Sequence, residues 1–314
     1  MSRTAFLFPG QGSQAVGMGK SLAENFAPAR AVFDEVDAAL GQKLSTLMFE
    51  GPEDQLTLTA NAQPALMAVS LAVIRTLEAE KGLDLAKAAS FVAGHSLGEY
   101  SALAAAGSLT ISETAKLLRI RGDAMQAAVP VGRGAMCALI GAEWELAAEI
   151  AREAAQNEVC DVANDNGGGQ VVLSGHKGAI DRAIEIAKAK GVKRALPLPV
   201  SAPFHSSLMQ PAADRMREAL AGASIQAPKV PVVANVLAAP VTDPEAIRRH
   251  LVEQVTGSVR WRESMIWLGA NGVTRFVECG SGKVLAGLAK RAVAGAEAVS
   301  LGTADDVAEW KRSH

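Results

Sequence analysis

The stretch Ser90-Phe91-Val92-Ala93-Gly94-His95-Ser96-Leu97-Gly98-Glu99-Tyr100-Ser101-Ala102-Leu103-Ala104-Ala105-Ala106 decides the fold. Residues 90–93 have strand character, and the run after Gly98 is built from helix formers. Between them lies Gly94-His95-Ser96-Leu97-Gly98, a G-x-S-x-G motif in the strand–turn–helix context that a nucleophile elbow requires. A serine on so sharp a turn projects its hydroxyl clear of the sheet, and the flanking glycines leave room for the turn and for close packing of the helix. The helix N-terminus behind it offers free N–H groups and a positive dipole end. The backbone N–H of Leu97 falls where an oxyanion would form. A glycine-rich strand-to-helix turn with no chemistry would also satisfy the bare pattern; the matching flanks favour the nucleophile.

Working outward, the chain has 314 residues, enough to bury a large core in one or two domains. Its 49% hydrophobic and 20% charged content is a globular balance. A net charge of −2 gives no field toward nucleic acid or membrane, and no apolar run approaches a membrane span. The apolar stretch at Ala5-Phe6-Leu7-Phe8 is too short for a signal peptide. Cys137, Cys160 and Cys279 show no metal-ligand spacing and cannot all pair, which suits a reducing cytoplasm and predicts no metal.

Before the elbow, Thr4 to Phe8 reads as a buried strand ending in Pro9-Gly10-Gln11-Gly12-Ser13-Gln14, and loops at strand C-termini are where open α/β sheets place ligands. Gly10-Gln11-Gly12-Ser13-Gln14-Ala15 also fits the G-x-G-x-x-A dinucleotide fingerprint. That reading needs a strand ending in an acid about twenty residues on. Asp34 and Glu35 are the candidates, but they sit in Ala29 to Leu40, where Val32, Val36 and Leu40 have helical spacing. Asn61 to Glu80 is predicted as a long helix with Asn61 as N-cap and Pro64 in its first turn. Ser112 to Ala127 is a helix carrying Arg119 and Arg121, which face different ways.

After the elbow region the rhythm changes. Strand 135–140, helix 143–155, strands 159–163 and 170–173 joined by 164–169, helix 177–189 and strand 192–198 give the order β-α-β-β-α-β. This is the split, ferredoxin-like unit, inserted over roughly 70 residues. Pro130 and Gly132 mark its start; Pro197, Pro199 and Pro203 mark its end. The chain then returns to helix 206–220, strand 230–234, helices 244–255 and 261–268, strand 273–278 and helix 284–293. Gly280-Ser281-Gly282-Lys283 resembles a P-loop tail, but Val277 and Val284 break the match. The expectation is an α/β protein with a discontinuous large subdomain, 1–129 and 203–314, and a small one at 130–202.

A serine nucleophile needs a base, most often histidine. Of five histidines, His314 is terminal, His250 sits on a charged helix, His176 belongs to the small unit, and His95 should leave the elbow in another direction. His205 lies where the small unit rejoins the large one, at the mouth of an interdomain cleft. A capping or core role for it stays open on this reading alone. Asp161 and Asp165 fall between serine and histidine in chain order, but both belong to the insertion. The residues suggest a dyad, or a triad completed by a backbone carbonyl.

Five stretches together resemble the malonyl-CoA:acyl carrier protein transacylases of fatty acid synthesis: Phe8-Pro9-Gly10-Gln11-Gly12-Ser13-Gln14, Gly94 to Ala102, Arg121-Gly122 with Met125-Gln126, Gly169-Gln170-Val171-Val172, and Pro203-Phe204-His205-Ser206. The resemblance spans nearly the whole chain. It implies an α/β-hydrolase-like core with a ferredoxin-like insertion, agreeing with the element order. It implies that Ser96 carries the malonyl ester, that His205 is base and then acid, and that backbone N–H groups of Gln11 and Leu97 form the oxyanion hole. It assigns Arg121 to the malonyl carboxylate through its planar fork, the Gln254 carbonyl to orienting His205, and Asn166 to the cleft wall. Phe204, at a variable position, helps shape the acyl pocket. Gly280-Ser281-Gly282 departs from the family, which commonly has proline between these glycines.

The reaction so implied is ping-pong acyl transfer without metal or redox cofactor. The expected partners are malonyl-CoA, CoA and acyl carrier protein, with no nucleic acid and no membrane. A monomer in the cytoplasm is expected, free-standing because the chain begins and ends with this domain. Lys188, Lys190, Lys193 and Arg194 offer a basic edge for an acidic carrier or a CoA phosphate; a solvated helix end explains them equally well. Two alternatives share the elbow and histidine: a serine esterase or thioesterase, and a trans-acting acyltransferase of a polyketide pathway. A non-catalytic carrier-binding module would not need Ser96, His205, Gln11 and Arg121 together.

Overall fold

The strands are β1 (Arg3–Phe8), β2 (Phe91–Gly94), β3 (Gly134–Ile140), β4 (Cys160–Gly167), β5 (Gln170–His176), β6 (Arg194–Pro197), β7 (Val232–Ala234), β8 (Ala239–Val241), β9 (Val273–Cys279) and β10 (Glu297–Leu301). They come from a computed structural model that describes residues 3–200 and 202–310; Met1, Ser2, Ser201 and residues 311–314, with His314, lie outside the described residues. One sheet has the order β10-β9-β1-β2-β7-β8 and is parallel except for β8 at its edge. The other, β4-β5-β3-β6, is wholly antiparallel. The fold is mixed α/β.

Alternation along β1 sets the layers of the large sheet. Phe6 and Phe8 face a core shared with the helix Thr59–Lys81, while Ala5 and Leu7 face a second core with Trp261, Met265, Leu285 and Leu288. The Thr59–Lys81 helix is buried through most of its length, as expected of a helix that is apolar nearly all round. The small sheet has its own core, in which Cys137, Leu139, Val171 and Leu173 pack on Ala147, Ile150, Ile180 and Ala183 of two helices. Val259 ties the two sheets together. It bridges Asn164 in parallel, accepts from Asp165 N at 3.0 Å and donates to Ala163 O at 2.8 Å.

The long helix begins at Thr59 with Leu58 at the cap, two residues before the expected start. Asn61 caps nothing; its amide donates to Gln55 O at 2.8 Å, and its oxygen accepts from Arg119 at 2.9 Å. Residues 164–166, expected in a loop, continue β4 to Gly167 through two register shifts. Their polar side chains look like turn chemistry, but the backbone here is held by β5 and Val259. The reversal falls to Gly168 and Gly169, at φ 62° and 72°. The expected helix 206–220 divides into a 3₁₀ turn, Ser207–Met209, and a helix starting at Gln210 with Pro211 in its first turn. The short helices Lys20–Asn25, Leu44–Glu50, Glu53–Thr57, Leu85–Ala88 and Ala304–Glu309, with strands β8 and β10, carry too little periodicity to be read. No helix among the described residues is long and apolar enough to cross a membrane.

Candidate active site

Parallel register puts three strand ends side by side. Phe8 of β1 pairs with Gly94 of β2, and Ala93 pairs with Val233 of β7. The Pro9-Gly10-Gln11 loop, the elbow and Asn235 therefore emerge at one edge. His95 N donates to Phe8 O at 3.0 Å. Both elbow glycines are sterically required. A Cβ at Gly94 would sit 1.8 Å from Gly98 O, and one at Gly98 would sit 2.2 Å from Phe8 O.

Ser96 itself has φ 53°, a left-handed conformation that costs a non-glycine residue about 1–3 kcal/mol. Asn235 holds it there: its oxygen accepts from Ser96 N at 2.8 Å and its amide donates to Gly94 O at 2.8 Å. Ser96 Oγ lies 2.7 Å from His205 Nε2. The other ring nitrogen faces two carbonyls, Gln254 O at 2.9 Å and Gly257 O at 3.2 Å. Carbonyls only accept, so Nδ1 carries the hydrogen and Nε2 is left to accept the serine proton. Burial, and next the charge of Arg121, push His205 down to about 3, so the ring is neutral at pH 7. Asp161 is engaged by Ser207 N and Oγ, and Asp165 by Arg262 Nε at 2.8 Å, so neither orients the imidazole.

Arg121 and Arg119 do face different ways. Arg119 reaches Gln42 and Asn61, whereas Arg121 is 1% exposed beneath the elbow. Arg121 Nη1 donates to Gln63 at 2.8 Å, and Nη2 donates to Gln254 Oε1 at 2.8 Å and to Ser96 Oγ at 3.1 Å. Its Nε is buried with no acceptor among the described residues. A buried guanidinium with only neutral direct partners and a spare donor is built to take an anion.

These groups line a cavity of about 590 Å³ together with Gln11, Leu97 and Phe204. Neither the Gln11 nor the Leu97 backbone N–H donates to another group among the described residues. Asn166 is not on the cavity wall; its oxygen lies 2.9 Å from His95 Nε2, and Asn164 lines the cavity instead. His95, expected to point elsewhere, also faces the cavity, with its ring packed 5.4 Å from Trp261. Lys193 and Arg194 are exposed beside and on β6 and do not line the cavity.

Sequence reasoning missed Gln63, Asn235 and Glu99. Glu99 is 3% exposed, and its Oε2 accepts from Asn235 N at 3.0 Å and Gln254 Nε2 at 2.8 Å. Burial pushes its carboxyl up to about 7 against the pull of these donors and of Arg121. A carboxylate within an otherwise apolar helix was the available signal. Among the described residues no group of three or more His, Cys, Asp or Glu could hold a metal ion.

A family model described as an acyl transferase domain matches residues 5–313. The chain belongs to the acyl transferase family. Its relatives include the malonyl CoA-acyl carrier protein transacylases of Bacillus subtilis, 47% identical over 93% of this chain and 90% of that one, and of Escherichia coli K12, 46% identical over 93% and 94%. Among solved structures, the acyl-carrier-protein S-malonyltransferase of Bartonella henselae superposes with a TM-score of 0.95 at 58% identity, covering 98% of this acyltransferase and 97% of that chain. A malonyl-transacylase solved with its type II PKS acyl-carrier protein superposes at 0.94 with 43% identity, covering 98% of each chain.

Proposed function

We propose that this acyltransferase moves the malonyl group of malonyl-CoA to the phosphopantetheine thiol of acyl carrier protein, in fatty acid synthesis. The observation that carries the reading is one oxygen, Ser96 Oγ, held at 2.7 Å from a neutral imidazole and 3.1 Å from a buried guanidinium. The first arrangement is what acyl transfer through a serine ester needs; the second selects an acyl group that ends in a carboxylate.

Ser96 Oγ attacks the thioester carbon while His205 Nε2 takes its proton. The carbonyl oxygen gains charge facing the Gln11 and Leu97 N–H groups. The C–S bond breaks, and the proton passes from His205 to the leaving thiolate. The carrier thiol then gives its proton to His205 and attacks the ester carbon, the C–O bond to Ser96 breaks, and His205 returns the proton to Ser96 Oγ. The Gln254 carbonyl keeps the imidazolium oriented in the place a carboxylate fills in a Ser-His-Asp triad. Arg121 binds the malonyl carboxylate, Phe204 bounds the acyl pocket, and Asn166 acts on the cleft through His95. Every step uses groups of this chain and its two substrates.

The large sheet is read as an α/β-hydrolase-like core, 1–129 with 203–314, and residues 130–202 as a ferredoxin-like subdomain; the strand order β4-β5-β3-β6 and the helices between its strands support this. Lys193 and Arg194 are proposed as carrier or CoA-phosphate contacts at the exposed edge. Three buried free thiols, two of them raised by burial to about 12, suit a reducing compartment such as the cytoplasm, and a monomer is proposed. The relative solved with a polyketide carrier makes such a carrier the second acceptor to assay. The test is incubation with labelled malonyl-CoA, with and without carrier. Label passing through protein to carrier is expected; label appearing mainly as free malonate would favour a thioesterase.

A further inference from the structure

Arg121 and Glu99 are two buried charges on neighbouring helices, Ile111–Ala127 and Gly98–Ala105, and they do not touch. One side-chain amide lies between them. Arg121 Nη2 donates to Gln254 Oε1 at 2.8 Å, and Gln254 Nε2 donates to Glu99 Oε2 at 2.8 Å. The charges thus cancel across a relay whose backbone carbonyl also orients His205. Under the malonyl reading a second carboxylate comes to Arg121. One cation would then face two buried anions, and an uncompensated buried charge is strongly unfavourable. We propose that Glu99 is the proton-linked counter-charge of Arg121: ionised while Arg121 has no carboxylate ligand, and protonated when the malonyl carboxylate occupies it. This rests on the proposed function.

The surroundings fit a carboxyl that changes state. Glu99 Oε2 keeps both its donors, Asn235 N and Gln254 Nε2, if the proton resides on the other oxygen. Its helix packs on β1, β2, β7 and the helices Thr59–Lys81 and Ile111–Ala127. The titratable groups that act on it are Arg121 and Tyr100 of its own helix; the Arg121 charge acts on His205 as well. Burial is the largest influence and opposes its ionised form; the Asn235 and Gln254 donors and then the Arg121 charge favour it, with a balance at about 7. A malonyl carboxylate offsets the Arg121 charge and tips the balance to the acid. His205 is the competing proton acceptor, since the same offset raises its basicity.

The test measures protons taken up on acylation by malonyl-CoA in weak buffer, without carrier. Acylation alone is proton-neutral, because the Ser96 proton leaves on the CoA thiol. Wild type should take up a clear fraction of a proton per ester at pH 7, more at pH 8 and less at pH 6, following a free carboxyl near 7. Acetyl-CoA should cause no uptake, and neither should Glu99→Gln with malonyl-CoA, since a neutral amide mimics the protonated acid. Above pH 7, kcat/KM for malonyl-CoA should fall in wild type, by up to about tenfold per unit, and stay flat in Glu99→Gln. Uptake that persists in Glu99→Gln would assign the proton to His205 and overturn the proposal. Should that variant not fold, the wild type decides: equal uptake with malonyl and acetyl thioesters, or ester formation without uptake, overturns it. Absence of any Ser96 ester would instead strike the malonyl reading itself.

Discussion

His205 and Arg121 share one small volume, and their charges set the chemistry. The cation, after burial, is the second reason the imidazole resists protonation. A base that stays neutral far below the ordinary histidine range should not titrate near 6.5. With acetyl-CoA, kcat/KM is expected to stay flat from pH 7 to 5; a limb with its midpoint near 6.5 would contradict the buried neutral base. Arg121 makes a second measurement available. A charge-assisted hydrogen bond contributes about 1.5–3 kcal/mol, and unpairing a buried charge costs roughly 3–5 kcal/mol. Arg121→Ala should therefore lower kcat/KM for malonyl-CoA about 10²–10³-fold relative to acetyl-CoA, and an unchanged ratio in a folded variant would remove the carboxylate role. The absence of a convincing acid partner was legible from the place of Asp161 and Asp165 within the insertion. Asp161→Asn and Asp165→Asn should accordingly leave turnover far above the roughly 10⁴-fold loss that follows loss of a triad aspartate. Gln63, Asn235 and Glu99 were not legible, because their roles depend on which strand ends lie side by side.

The elbow is an element that tolerates no extra atom at two positions. Gly98 lies against Phe8 O of the neighbouring strand, so a methyl group there must displace backbone rather than a flexible side chain. Overpacking of this kind costs about 1–3 kcal/mol or more, and in a chain of this size each kcal/mol lowers Tm by about 2–4 °C. Gly98→Ala is expected to melt several degrees lower and to acylate slowly; an unchanged melting curve would contradict the packing described. The elbow was readable because glycine spacing, strand and helix agree over a dozen residues. Strand β4 was not, because Asn164, Asp165 and Asn166 carry turn-forming side chains while their backbone is paired by long-range partners, β5 and Val259. The helix start at Thr59 was missed for the same reason: Asn61 spends its amide on Gln55 and Arg119 rather than on its own helix.

Across the molecule, the two perturbed buried groups act on stability with opposite sign. His205 is held at about 3 against an ordinary 6.5, so between those values the unfolded chain binds more protons and stability rises with pH. Glu99 is held at about 7 against 4.5, so between those values the native state binds more protons and stability falls as pH rises. Glu99→Gln removes only the second effect, so its Tm relative to wild type should climb from pH 4.5 to 7; a level or falling difference would contradict the buried carboxyl. At this scale the sequence was most informative, since periodicity and punctuation place an antiparallel insertion within a mostly parallel sheet, and the structure has both sheets. What it left open was how the sheets meet, at Val259 and the Arg262–Asp165 pair, contacts nearly a hundred residues apart. The chemistry as a whole rests on one hydroxyl. Intact-protein mass spectrometry after mixing with malonyl-CoA should find a single malonyl ester on wild type and none on a folded Ser96→Ala variant. A stable malonyl adduct on that variant would contradict it.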